Sequence, residues 1–341
     1  MSDRDRRRIV FFGSGAFGLP TLEALSEARS AYEVALVVSQ PDRPAGRGRA
    51  LTPTPVAGFA AGRGIPVRKP ENANAPEEIA AIRAAGAEAF VVIAFGQKLS
   101  PELLGDTFAI NLHASLLPAY RGAAPINWAL VEGRDETGIS VIGLAQRMDA
   151  GLVYATRRTP IGATETCGEL HDRLAVLGVP AVVETLDGFA RGSLVGVPQD
   201  ERLVSKARKL RKEDGRIDVT KASARALRGR IHGLNPWPGC DCCVDGQVVR
   251  LLRVRDEPER ASGAGEGGRA IPGTILEDGS IACAAGRLVV LEIQPPGGRP
   301  MTLDAYRAGR PWRVGSVVTP LPQSPAEESG VSGGGAPERD R

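Results

Sequence analysis

The sequence predicts an α/β fold, a mostly parallel sheet covered by helices on both faces, followed by a small β-barrel domain. Three observations lead there. The first half alternates near-continuous apolar strands with helical segments, the pattern of a parallel sheet buried on both faces. The second half carries one amphipathic helix and then short strands separated by Gly-rich turns. At 341 residues, the chain is too long for one ordinary core and two domains are expected.

In chain order, RRIVFFG reads as a strand, LPTLEALSEA as a helix and YEVALVVS as a second strand. APEEIAAIRAAG is helical; AEAFVVIAFG, FAINLHA and GISVIGLA are further strands. GELHDRLAVLGVPAVVETLDGFARG is a long helix that closes the first, Rossmann-like domain, residues 1–192. The pattern then loosens into a basic linker, 193–212. The second domain, 213–321, opens with KASARALRGRIHGL, in which Leu227, Ile231 and Leu234 recur at helical spacing. QVVRLLRV, AIPGTILED, SIACAA and RLVVLEIQ follow as strands, consistent with an OB-like barrel. RASGAGEGGR reads as a loop, and 322–341 as a disordered tail. No internal repeat is visible.

Composition sets further bounds. Hydrophobic content of 42% and charged content of 24% are those of a water-soluble globular protein. No apolar run approaches the roughly 18 residues that would span a bilayer, and MSDRDRRR lacks the apolar core of a secretory signal. A cytoplasmic, membrane-free and monomeric protein is expected. Of five cysteines, Cys240, Cys242 and Cys243 cluster in GCDCCVDG. A zinc site usually pairs two spaced Cys/His hooks, and the second is missing here. Reduced thiols on a strand are the better reading, and no metal is expected.

Charge is placed unevenly. Arg202 to Arg255 holds 14 Lys/Arg against 5 Asp/Glu, a net of +9 in a chain whose total is +3. Such a basic stretch suits an anionic partner, most simply nucleic acid; a solvated surface is the alternative. A second basic segment, SQPDRPAGRGRALTPTP, carries Arg43, Arg47 and Arg49 among Gly and Pro. It cannot bury itself, and guanidiniums bind phosphate bidentately, although a plain surface loop has the same composition. GSGAFG, Gly13 to Gly18, matches a dinucleotide fingerprint, but the second strand ends in Ser39-Gln40-Pro41 without the acid that would bind a ribose. A tight strand-to-helix turn is the better reading.

Reaction chemistry concentrates in AINLHASLLPAYRGAAPIN. Asn111 and His113 are two apart on a strand, so both project from one face at its carboxyl end, where open α/β sheets bind ligands. An imidazole moves protons near neutral pH, and an amide N–H stabilises a developing oxyanion. Such a pair suits acyl-type transfer to an amine. Asp149, in AQRMDAGLVY, also follows a strand and can serve as the carboxylate partner of the imidazole; a turn residue before Ala-Gly is the alternative.

The ordered set Asn111-x-His113, Ser115-Leu116-Leu117-Pro118 and a later Asp149 resembles the 10-formyltetrahydrofolate-dependent formyltransferase superfamily. QPDRPAGRGR, RGAAPI and NPWPG further resemble its branch acting on methionyl initiator tRNA. The resemblance runs from about Arg8 to Pro320. It implies Asn111, His113 and Asp149 as the catalytic trio, with Ser115, Leu116, Leu117 and Pro118 lining the site of the formyl donor, 10-formyltetrahydrofolate. It implies tRNA contacts from Arg43, Arg47, Arg49, Lys209 and Lys212, and an aminoacyl-end contact from Phe17. Arg147-Met148 stands where members often carry Gly-Leu, a departure expected to matter little. Formyl transfer to a small amine, such as a sugar nucleotide or purine precursor, is the alternative within the same chemistry. That reading leaves the basic regions without a role.

Overall fold

A computed structural model describes residues 6–28, 30–45, 49–258 and 270–321. Arg47, the loop read at 260–269 and the tail at 322–341 lie outside the described residues. By their internal contacts the residues form two compact units, Met1–Leu210 and Arg211–Arg341. The segment 193–210, read from sequence as linker, belongs to the first.

The first unit runs β1 (Arg7–Gly13), α1 (Leu19–Ser26), β2 (Tyr32–Val38), β3 (Arg43–Ala45), β4 (Ala50–Thr52), α2 (Pro55–Gly62), β5 (Val67–Arg68), α3 (Pro76–Arg83) and β6 (Ala89–Ile93). It continues through α4 (Pro101–Leu104), β7 (Phe108–His113), β8 (Arg121–Gly122), α5 (Pro125–Val131), β9 (Glu136–Gly143), β10 (Val153–Pro160), α6 (Cys167–Ala190) and β11 (Lys206–Ala207). Seven strands make the main sheet in the order β10-β9-β7-β6-β1-β2-β5. Strands β5, β2, β1, β6 and β7 are parallel, and β9 and β10 close one edge antiparallel.

The alternation along β1 shows why both faces are covered. Ile9 and Phe11 enter a core shared with α1, α2, α5 and α6, whereas Val10 and Phe12 enter one shared with Ile82 and Leu103 of α3 and α4. The sequence pattern missed α2, α4, α5 and β10. Helix α2 starts with Pro55 after Thr54, whose side chain accepts the Ala57 N–H, a cap inside what read as a Pro-rich loop. Strand β10 alternates half-buried and exposed residues, including Arg157 and Arg158, so it lacks the apolar run that marked the other strands.

The second unit comprises α7 (Ala224–Gly233), β12 (Cys240–Val244), β13 (Gln247–Glu257), β14 (Ile281–Ala282), β15 (Arg287–Gln294), β16 (Met301–Thr302), α8 (Leu303–Arg307) and β17 (Val318–Pro320). The strands form an antiparallel, barrel-like sheet ordered β14-β15-β13-β12-β17, with β16 added to β15. AIPGTILED, expected as a strand, contributes only single bridges, Thr274 to Val317 and Ile275 to Ile281. Inside β12, Cys240 and Cys242 are buried and burial pushes their thiols up, that of Cys240 to about 12. Among the described residues no group of three or more His, Cys, Asp or Glu could hold a metal ion, and no helix is long and apolar enough to cross a membrane.

Leu112 ties the strand that carries Asn111 and His113 to α6. It is buried, and Gly178 of α6 approaches so closely that a Cβ there would lie 2.4 Å from Leu112 Cδ2. Leu112→Ala should cost about 2–5 kcal/mol, the usual cost of such a truncation in a packed core. Denaturant unfolding of wild type and variant measures it; a loss well under 1 kcal/mol, about the cost of a surface change, would show that this contact does not anchor β7.

Candidate active site

Strand β7 separates structural from chemical side chains by its pleat. Ile110 and Leu112 enter the core beneath α6. Asn111 and His113 face the opposite side at the carboxyl end of the strand. His113 is 6% exposed, whereas the half-buried Asn111 amide makes no hydrogen bond to another described residue. Its amide protons are therefore not taken up by another described residue.

The imidazole is held from the side opposite Asp149. His113 Nε2 lies 2.9 Å from the Tyr120 carbonyl oxygen. A carbonyl only accepts, so Nε2 carries a proton and Nδ1 is the nitrogen left for proton exchange. Nδ1 faces Asp149 Oδ2 at 3.7 Å, beyond direct hydrogen-bond distance. Tyr120 has a left-handed backbone, φ 63°, and is fixed at both ends. Its N–H donates to Ser205 Oγ at 2.9 Å. Its hydroxyl donates to Glu132 Oε2 at 2.6 Å and accepts from Arg134 Nε at 2.7 Å.

Asp149 also has a left-handed backbone, φ 54°, and only 12% of its side chain is exposed. Its Oδ2 accepts the Gly122 N–H at 2.8 Å. Gly122 is required there: φ is 127°, and a Cβ would lie 2.5 Å from the Ala207 carbonyl oxygen. That closeness comes from β8, which pairs in parallel with β11. Strained backbone at Tyr120 and Asp149 sits where functional sites commonly hold it.

The Ser115–Pro118 turn is built on β9. Ser140, opposite His113 in register, donates to the Ser115 carbonyl at 2.8 Å and accepts the Leu117 N–H at 3.1 Å. Ser115 is buried, and its hydroxyl donates to the Ala119 carbonyl at 2.6 Å. Leu116, Leu117 and Pro118 are half-buried. The structure thus brings Asn111, His113, Asp149 and this turn to one edge of the sheet.

The basic loop is a hairpin of β3 and β4. Its base is tied to the same edge: Ser39 Oγ and Thr54 Oγ1 lie 2.6 Å apart, and the Gln40 N–H donates to Ser14 Oγ. Arg43 forms an exposed ion pair with Glu71 at 3.0 Å, a contact of little cost to exchange. Arg49, Lys209 and Lys212 are exposed. Phe17 lies in a 3₁₀ turn after β1, buried with its ring centroid 5.2 Å from that of His171. It is therefore packed rather than open to solvent. Sequence reading missed Tyr120, Ser140, Gln199 and Ser205. Only Tyr120, beside RGAAPI, stood near a recognisable signal.

An amide, a buried imidazole and a carboxylate at the carboxyl edge of an α/β sheet suit the movement of an acyl-type group to a nucleophile. A family profile described as formyl transferase matches residues 7–186, and one described as formyl transferase, C-terminal domain, matches 209–311. The methionyl-tRNA formyltransferase of Citrifermentans bemidjiense is 41% identical over 317 residues, covering 91% of this chain and 96% of its own length. That of Sorangium cellulosum is 42% identical, covering 91% and 99%. The chain belongs to the formyl transferase family. Among solved structures, the N-formyltransferase from Helicobacter canadensis with folinic acid and dTDP-3-aminofucose shares the fold at TM-score 0.61 and 12% identity, covering 84% of this chain and 98% of that one. HypX from Aquifex aeolicus with tetrahydrofolic acid aligns at TM-score 0.56 and 17% identity, covering 89% of this chain; the chain spans 47% of HypX.

Burial, and then the hydrogen bond to Glu132, push the Tyr120 phenol up to about 12. The folded state holds that proton more tightly than the unfolded chain, whose phenol titrates near about 10. The associated stability is fully present below about pH 10 and is lost as pH rises toward the folded value. Tyr120→Phe should flatten that alkaline fall. Unfolding midpoints of both proteins across this range measure it; parallel curves would show that the phenol does not titrate in step with folding.

Proposed function

We propose that the chain transfers the formyl group of 10-formyltetrahydrofolate to the α-amino group of methionyl initiator tRNA, giving N-formylmethionyl-tRNA in the cytoplasm. The observation that carries the chemistry is the buried His113, proton-bearing at Nε2 and facing Asp149 through Nδ1, two residues from an Asn111 amide that no other described residue engages. The acceptor is supported by relatives bearing that printed name, alike over both units.

The residues present fit such a donor: Asn111 offers an amide to a formyl oxygen, and the buried His113 with Asp149 offers a proton acceptor on the same edge of the sheet. The folate supplies a formyl group already activated for transfer. Asn111 donates to the formyl oxygen as negative charge develops there. His113 Nδ1, with Asp149 behind it, takes the proton that the amine sheds as its nitrogen bonds the formyl carbon. The bond from that carbon to the folate nitrogen then breaks, and the nitrogen regains one proton. His113 can return the proton it took, so charge and protons balance. Ser115 to Pro118 shape the donor side. Arg43, Arg47 and Arg49 act near the tRNA acceptor end, and Lys209 and Lys212 meet phosphates.

Formylation of methionyl-tRNA by variants tests the site. His113→Ala should lower turnover about 10²–10⁴-fold, and Asn111→Ala roughly 10²–10³-fold in kcat with folate affinity little changed. Asp149→Asn should lower turnover and change its pH dependence. Near-wild-type turnover in folded His113→Ala, or a folate-affinity loss with intact kcat in Asn111→Ala, would reassign these roles.

The tRNA contacts separate by salt. Neutralising Lys209 and Lys212 should raise KM for tRNA and flatten its salt dependence by up to about 0.7–0.9 log units per lost phosphate contact. Arg47→Ala should lower kcat/KM by misplacing the acceptor end, with a smaller change in salt slope. If all three prove silent, a small-molecule amine becomes the better acceptor.

A further inference from the structure

We infer that Gln199 is a positioning residue for the reaction: it locks the Asp149 turn so that the carboxylate faces His113, and Arg121 and Glu201 lock Gln199. The inference rests on the reading of Asp149 as a reaction group and adds a device that neither the sequence motifs nor the family's trio contains.

The Gln199 side chain donates from Nε2 to two carbonyl oxygens, Asp149 O at 2.7 Å and Gly151 O at 2.8 Å. One NH₂ group thus brackets the left-handed residue that carries the carboxylate. Its Oε1 accepts from Arg121 Nε at 3.0 Å and Nη2 at 2.8 Å. Carbonyls only accept and guanidiniums only donate, so all four bonds require this one orientation of the amide. Arg121, 7% exposed, continues through Nη2 to Glu201 Oε1 at 2.9 Å.

The lacing continues on both sides of the turn. Arg147 Nη2 reaches Glu201 Oε2 at 2.7 Å, so the departure from Gly at that position adds a tie. Val153 and Val197 exchange both backbone hydrogen bonds, at 2.9 and 2.8 Å. Residues 147, 149, 151 and 153 are therefore each held by the segment 197–201. A left-handed Asp persists only where its surroundings over-determine it, and here the surroundings are this segment. Among the described residues the carboxylate accepts one hydrogen bond, from the Gly122 N–H. Its placement 3.7 Å from Nδ1 follows from the backbone that Gln199 fixes.

The Gln199→Glu side chain has nearly the same shape. It still accepts from Arg121 but puts an oxygen, not an NH₂, against the two carbonyls. The test is steady-state formylation across pH for Gln199→Glu, Asp149→Asn and the double variant, with thermal unfolding of each. Gln199→Glu should lower kcat about 10–10²-fold, as expected for small misplacements of reacting groups, and leave both KM values within about threefold. Its pH profile should move in the same direction as that of Asp149→Asn. Added to Asp149→Asn, it should cost no more than about threefold, because both changes remove one function.

An unchanged kcat and pH profile in folded Gln199→Glu, beside a damaged Asp149→Asn, overturns the inference alone. So does a loss that multiplies in full onto that of Asp149→Asn. An inert Asp149→Asn overturns both the inference and the reading beneath it. If Gln199→Glu does not fold, Glu201→Gln decides, since Glu201 is half exposed. It should lower kcat about threefold or more at unchanged KM, since it loosens Arg121 and Arg147 together; an unchanged kcat overturns the inference.

Discussion

The candidate site depends on a short parallel pairing, Arg121-Gly122 against Lys206-Ala207. The loop after β7 carries no regular structure until it meets this strand. There the Arg121 N–H donates to the Ser205 carbonyl and the Ala123 N–H to that of Ala207. These bonds fix where the Tyr120 carbonyl and the Gly122 N–H point. One accepts from His113 and the other donates to Asp149. An imidazole on strand β7 and a carboxylate in the loop between β9 and β10 thus acquire their mutual geometry from a segment some 80 residues further along.

This arrangement divides labour between sheet and loops. The sheet is rigid because both faces are packed, so Asn111 and His113 emerge from a strand with little freedom. Loops carry the remaining groups, and loops hold a geometry only when hydrogen bonds over-determine it. Around Tyr120 and Asp149 those bonds come from Ser205, Glu132, Arg134, Gly122 and Gln199. The buried guanidinium of Arg121 costs desolvation, offset by Gln199 and the Glu201 carboxylate.

Much of this was legible beforehand. The α/β class followed from β1, β2, β6 and β7, whose apolar runs leave no alternative to burial on both faces. Asn111 and His113 could be placed on one face from their spacing alone, and Asp149 at a strand end from its neighbours. The second unit's helix α7 showed its 3.6-residue period in Leu227 and Ile231, both buried. Helix α2 and strand β10 were hidden, one by its flanking prolines and the other by charge alternation on an edge.

By itself the sequence determined which residues are candidates for the chemistry and which face of which element they occupy, because pleat and helix period are local properties of the chain. Only the tertiary structure decided that Tyr120 rather than Asp149 holds the imidazole, that Ser140 builds the Ser115–Pro118 turn, and that residues 197–201 belong to the first unit and brace Asp149. The Tyr120 carbonyl is only 7 positions from His113, but the bonds that build the turn, brace Asp149 and fix Tyr120 join residues 25, 50 and 85 positions apart. No periodicity or spacing encodes them; they exist because folding brings single hydrogen-bonding groups within about 3 Å of one another.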